Sequence, residues 1–267
     1  MKTSSRFLTI LLTPLLFIAC TTVPITERQQ LRLVSSSEMM SISYQQYDKF
    51  MKENKLSTDK KSSDMVKKTG LRIQKSVENY FAQKNMSESL KGYKWEFNLV
   101  ENEKVNAWCM PGGKVVVYTG ILPVTKDEAG LATVMAHEIA HAVAEHGNER
   151  MSQQLLQQLG GAALVVAMAE KPKETRDKWL MAYGVGTQFG AILPYSRIHE
   201  TEADHLGLIF MAMAGYNPEA AVDFWTRMSE QKGKTAPPEL LSTHPSNQTR
   251  INNLKSFLPE AMKYYKK

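Results

Sequence analysis

The sequence predicts an α+β fold, mostly helical, with a small β-sheet beside one apolar helix. Three observations carry that prediction. Apolar residues recur at helical spacing through most of the chain, while Trp95, Phe97 and Leu99 alternate with Glu96 and Asn98 as in a half-buried strand. A second strand is expected from Lys114 to Thr119, entered through the turn-forming Pro111-Gly112-Gly113. At 267 residues, 43% hydrophobic and 22% charged, the chain has ordinary globular composition and can bury a core. Its net charge of +6 falls to +4 without Lys2 and Arg6. The sequence holds no long basic block and no basic stripe interleaved with aromatics, which argues against nucleic acid as a partner; the mild excess suits an anionic membrane surface.

Residues 1–19 read as an export signal. Lys2 and Arg6 form its positive region, and Phe7 to Ala19 is apolar but too short to span a bilayer comfortably. Phe17-Ile18-Ala19-Cys20 resembles a bacterial lipobox, with Phe17 in place of the usual Leu. Cys20 is therefore expected to carry lipid, residues 20–26 to act as an anchored linker, and residues 27–267 to form a single domain. With only two cysteines, and Cys20 acylated, Cys109 has no partner, so no disulfide is expected and Cys109 reads as an inert buried thiol.

Along the domain, Thr26 and Gln29 are spaced as a capping box opening a helix to about Met51, and a second helix follows Ser63 with Val66, Gly70, Ile73, Val77 and Tyr80 on one stripe. After the two strands, Thr125 and Glu128 are spaced to cap a helix running through Ala144 and stopping near Gly147. Residues 152–170 are apolar, interrupted at Gly160-Gly161, and suit a core or membrane-surface helix better than a span. Further helices carry Trp179, open near Ser196 and stop at Gly215, and start at Asn217-Pro218. Lys232 to Ser246 reads as a loop, and Ile251, Leu254 and Leu258 mark a closing helix.

The chemistry is concentrated in His137-Glu138-Ile139-Ala140-His141, which matches H-E-x-x-H inside an apolar helical run. Positions i and i+4 stack one turn apart, so both imidazoles can reach one metal, while the glutamate between them can take a proton from an attacking water. Zinc, one ion per chain, is the metal this pattern implies, with His137 and His141 as ligands and Glu138 as general base. A catalytic zinc needs a third protein ligand. Ala144 and Gly147 stand where one extended form of the motif requires Gly and His, and His146 points off the ligand face. The better candidates are Glu200 and Asp204, spaced i,i+4 on a later helix, so that one can bind metal while the other orients a ligand histidine. From spacing alone, His199, Glu202 and His205 remain rivals.

H-E-x-x-H followed by Ser196-Arg197, Glu200 and Ala203-Asp204 resembles the zinc endopeptidases that include the CAAX prenyl protease, HtpX and the periplasmic BepA and LoiP. Asn106-Ala107-Trp108, Pro111-Gly112-Gly113 and Tyr118-Thr119-Gly120 agree ahead of the zinc helix, and Thr243-His244-Pro245 with Arg250-Ile251 agree behind it. These motifs cover roughly residues 65–257. The chain lacks several spans of the prenyl protease and HtpX and the C-terminal repeat domain of BepA, so a compact LoiP-like lipoprotein matches its layout best.

The resemblance implies a gluzincin-type zincin domain in which Glu200 is the third zinc ligand, Asp204 supports a ligand histidine, and His244 and Arg250 lie at the active site. It implies a zinc endopeptidase acting on exposed or misfolded envelope polypeptides, tethered to the periplasmic face of the outer membrane. Outer-membrane assembly machinery is a further partner. The alternative is an assembly factor or chaperone-like lipoprotein with latent proteolysis. Val115, Val116, Val117 and Tyr118 are expected to form an edge strand that receives extended substrate. His244 is expected to gate the metal in the resting state or, withdrawn, to serve the oxyanion.

Overall fold

A computed structural model describes residues 20–23, 26–230, 244 and 248–266. The expected leader and nearly all of the expected 232–246 loop lie outside them. The described chain divides into two compact units, where the sequence reading has one domain. One unit holds the described residues up to Ser36 together with Glu145–Arg197, and the other holds Ser37–Ala144 and Ile198 onward.

The larger unit contains α1 (Ser36–Glu53, from its second residue) and α2 (Lys60–Gln83), followed by strand β3 (Glu96–Val100), β4 (Ala107–Met110) and β5 (Lys114–Tyr118). The N-cap of α2 is Asp59, whose carboxylate accepts from the Ser62 amide. The three strands form a sheet in the order β3-β5-β4, with β3 parallel and β4 antiparallel to β5. Residues 115–118 therefore lie in the central strand, not at an edge. The reason is visible in the burial: every residue of β5 is buried, and a β-branched run suits a two-sided interior strand as well as an edge. Outside β3, Ser57 donates to Leu99 and Glu101 donates to Lys55, so that edge is covered. Among the described residues, the open edge is β4, a strand the sequence reading did not assign. Gly112 and Gly113 adopt φ of +87° and +85° in the β4–β5 turn, and a Cβ on Gly113 would lie 2.6 Å from the Trp95 ring.

The short α3 (Leu122–Thr125) leads into α4 (Glu128–Val143). Asp127, rather than Thr125, caps α4, accepting from Gly130 N–H at 2.8 Å. Thr125 is instead engaged within α3, where its hydroxyl donates to Leu122. From Gly130 to Val143, α4 is buried throughout, as its apolar sequence demands. α7 (Leu193–Met213), α8 (Glu219–Glu230) and α9 (Gln248–Ala261) complete this unit. Asn217 Oδ1 accepts from Glu219 N–H at the start of α8. Ile73, Phe81, Leu131, Met135, Leu206, Ile209, Phe210 and Phe224 are fully buried, each contributing about 1.5–3 kcal/mol relative to exposure. Gly207 on α7 sits where a Cβ would be 3.2 Å from the His137 amide nitrogen, so its lack of a side chain lets α7 cross closely over α4 at the motif histidine.

In the smaller unit, β1 (Cys20–Thr22) pairs antiparallel with β2 (Gln29–Leu31), so residues 20–22 of the expected anchored linker form a strand, and Gln29 is not in a helix. α5 (His146–Ala167) runs unbroken through Gly160-Gly161, and α6 (Lys173–Thr187) leads through a π-helical turn at Gln188–Ile192 into the first residues of α7. The β-hairpin is held to α5 by Arg28, which meets both carboxylate oxygens of Glu149 at 2.9 and 2.8 Å, and by the Leu33 amide, which donates to Ser152 Oγ at 2.9 Å. No helix among the described residues is long and apolar enough to cross a membrane.

Candidate metal centre

Three helices supply the site. α4 presents His137, Glu138 and His141, α7 presents Glu200 and Asp204, and Arg250 stands in α9, with His244 arriving from the chain before it. The i,i+4 spacing on α4 places His137 Nε2 and His141 Nε2 only 3.1 Å apart. Glu200 lies with Oε1 3.2 Å from His141 Nε2 and Oε2 3.4 Å from His137 Nε2. His244 Nδ1 stands 2.9 Å from Glu200 Oε2 and 3.1 Å from His137 Nε2. One donor atom from each of His137, His141, Glu200 and His244 falls within a sphere of mutual separations no greater than 4.8 Å. Donors bound to one tetrahedral zinc at about 2.0–2.1 Å would stand roughly 3.3 Å from each other, so this set fits such an ion.

The surroundings orient these donors. His137 turns Nδ1 toward Asp204 Oδ1 at 3.0 Å, leaving Nε2 aimed at the shared centre. Arg250 donates from Nη2 to Asp204 Oδ1 at 2.6 Å, its Nη1 lies 3.2 Å from Glu200 Oε2, and it rests on the indole of Trp225. Burial and the Arg250 charge both oppose a proton on His137, yet hydrogen bonds to Asp204 and Glu200 outweigh them and raise it to about 9. Burial also works against the Glu200 charge, but the His141 imidazole and hydrogen bonds from His137, His141 and His244 hold its carboxyl well below 4.5. One carboxylate with three imidazoles is a composition suited to zinc, whose charge would take the place of the proton on His137.

Glu138 is buried at the mouth of this cluster. Its Oε1 has no hydrogen-bond partner among the described residues, and His244 Nε2 stands 3.4 Å away. An orphaned carboxylate oxygen beside converging donors is placed to hold a reacting proton. Cys109, on β4, feels the same carboxylate: burial, then the Glu138 charge, push its thiol well above 9.0. β4 packs against α4, the helix that bears Glu138, and Cys109 is not poised as a thiolate.

The structure brings together His137, Glu138, His141, Glu200, Asp204, His244 and Arg250. It does not bring the other candidates in. His205 pairs with Glu260 at 2.8 Å and stacks on Phe257, while His199, Glu202 and His146 are buried outside the cluster of donors. Val115–Tyr118 are internal to the sheet. Trp225 escaped the sequence reading; the signal that could have found it is an aromatic on the buried stripe of a strongly amphipathic helix, which is ordinarily just core.

The family model described as Peptidase family M48 matches residues 26–258. Mitochondrial metalloendopeptidase OMA1 of Schizosaccharomyces pombe is 36% identical over 194 residues, covering 72% of this chain and 54% of that protein. Its human counterpart is 31% identical over 250 residues, covering 90% of this chain and 46% of that one. The beta-barrel assembly-enhancing protease of Yersinia pestis is 30% identical over 170 residues, covering 61% and 34% respectively. The chain spans about half the length of the OMA1 proteins it matches.

Proposed function

The chain belongs to peptidase family M48, and from that premise we propose that it is a zinc-dependent endopeptidase of the cell envelope that cleaves exposed or misfolded polypeptides. The observation that carries the reading is the convergence of His137, His141 and Glu200 donor atoms beside Glu138 Oε1, a buried oxygen that accepts no hydrogen bond from the described residues. His137, His141 and Glu200 would hold the zinc. When bound, zinc polarises the scissile carbonyl and lowers the pKa of a water. Glu138 takes the proton of the attacking water on Oε1 and passes it to the leaving amine. Asp204 keeps His137 Nε2 facing inward, and Arg250 ties the carboxylates of α7 to α9. His244 stands against Glu200, His137 and Glu138, which supports a resting role as gate; displaced, it is within reach of an oxyanion.

Substrate binds in extended form along the free edge of β4. Tyr118 N–H donates to Asn106 O, and the antiparallel alternation that follows turns the main-chain groups of Cys109 and the carbonyl of Ala107 toward that edge, the Ala107 N–H being held by Asn106 Oδ1 at 2.9 Å. Main-chain pairing makes recognition tolerant of sequence, as a quality-control protease requires. Cys20 carries the lipid that fixes the chain to the periplasmic face of the outer membrane. The name of the Yersinia relative supports a place near outer-membrane assembly machinery and keeps an assembly-factor role with secondary proteolysis as the second reading. Zinc content and casein cleavage, measured for the wild type and Glu138→Gln, test the proposal: wild-type protein that binds zinc and leaves casein intact would favour the assembly factor.

A further inference from the structure

The smaller unit carries more apolar surface than its own packing covers. α5 and α6 form a hairpin clasped where Tyr183 donates to the Gln157 carbonyl at 3.0 Å and Gln157 Nε2 donates to Thr187 Oγ1 at 2.7 Å. Gly160 leaves the room that Tyr183 needs, since a Cβ there would meet its hydroxyl at 2.1 Å. Beyond this clasp little is buried. α6 has no buried residue, and Leu159, Val166, Trp179, Met181 and Phe189 are 57–76% exposed. The legs are also without charge: no Asp, Glu, Lys, Arg or His occurs from Met151 to Ala169 or from Trp179 to Ser196. A hairpin solvated by water would carry charge on such faces.

The distribution of these residues bears on what covers them. Leu156 and Val165, nine positions apart, point in opposite directions on α5, and Trp179 and Met181 do the same on α6. A protein partner or a second copy covers one stripe of a helix, whereas a surrounding apolar medium contacts several. Cys20 belongs to this unit, because it begins β1, β1 pairs with β2, and the hairpin is fixed to α5 through Arg28, Glu149, Leu33 and Ser152.

We propose that the α5–α6 hairpin is a membrane-docking element that lies in the surface of the lipid bilayer to which Cys20 tethers the chain. The choice of a bilayer as occupant rests on the lipid-tether reading of Cys20. With no helix long enough to cross, the hairpin lies shallowly within one leaflet, parallel to its surface and just beneath the headgroups, so that acyl chains meet its apolar residues on more than one face while the charged turn from Glu170 to Lys178 reaches headgroup level. Docking of this kind is reversible alone and becomes lasting when joined to a lipid anchor, since stable attachment takes two signals.

The test uses zinc-loaded protein carrying Cys20→Ala, which cannot be acylated, floated with vesicles of phosphatidylethanolamine and phosphatidylglycerol. It should bind, and Val166→Glu combined with Phe189→Glu should weaken binding at least about tenfold while leaving circular dichroism and casein cleavage unchanged. Trp179 emission should shift to the blue and be quenched by brominated lipid, a signal lost in Trp179→Phe. Absence of flotation, or flotation indifferent to the double substitution, overturns the docking. A dimer that the double substitution dissociates, with no vesicle binding, overturns it in favour of a second copy. The mass of residue 20 in the native protein is read separately: an unacylated Cys20 beside intact vesicle binding removes the tether and keeps the docking.

Discussion

Arg250 sits over Trp225, its guanidinium carbon 3.4 Å from the centre of the ring, and from that seat it reaches the carboxylates of both Glu200 and Asp204. The indole fixes the plane of the fork, which is a service lysine cannot receive in the same way. Arg250→Lys should therefore loosen Glu200 and lower zinc affinity by about 10–100-fold, measured by competition with a chromophoric chelator. Trp225→Leu should move affinity in the same direction. Zinc affinity unchanged in both variants would show that the stack serves packing alone.

Glu138→Gln should keep zinc, because this residue is outside the ligand set, and should lose at least about 10²-fold in peptide hydrolysis. Glu200→Ala should lose zinc and activity together. Full zinc occupancy in Glu200→Ala would remove it from the ligands.

His244→Ala should raise basal proteolysis while zinc stays on three ligands, because the contacts of His244 with Glu200 and Glu138 occupy the approach to the reacting centre. Loss of activity at constant zinc content would assign His244 to the oxyanion instead.

Cys109→Pro should raise KM for unfolded protein substrates with zinc content preserved, since it deletes a main-chain donor on the free edge of β4, where proline is tolerated. Cys109→Ser serves as the control and should behave as wild type. Equal KM in the proline variant would show that substrate does not pair with this strand.

Glu128 gives the fold a pH dependence. Burial works to raise its carboxyl, but the Tyr216 hydroxyl and the Lys68 ammonium hydrogen-bond the charged form and hold it below 4.5. A depressed folded-state pKa stabilises the protein above the unfolded value, and that contribution disappears as pH falls through the folded one. Glu128→Gln should thus melt a few degrees below wild type at pH 7, with the gap closing in acid below about pH 4.5. A gap independent of pH would point to packing rather than charge.

The helix bearing the motif was legible because apolar periodicity and i,i+4 histidines agree there, and Glu200 became legible only through the motif that resembles a family, since spacing left His199, Glu202 and His205 open. The position of 115–118 was not legible because Val115-Val116-Val117 satisfies an edge or a central strand equally; deciding needs the neighbours. β4 escaped because Ala107-Trp108-Cys109-Met110 neither alternates nor is β-branched, and it is a strand chiefly because β5 pairs with it. Capping was misplaced twice for one reason. Thr26 and Thr125 have the right spacing to a later Gln or Glu, but tertiary packing made a strand at Gln29 and gave the α4 cap to Asp127.

Cys109, held far from its thiolate by burial and by Glu138, has a practical consequence for redox behaviour. Because Cys109 is a free thiol, the melting temperature of the described fold should be the same in millimolar reductant and in air. Alkylating reagents should label it sluggishly at neutral pH. Loss of activity under oxidative stress would then have to be traced to the methionines or to the bound metal, not to sulfur bridges.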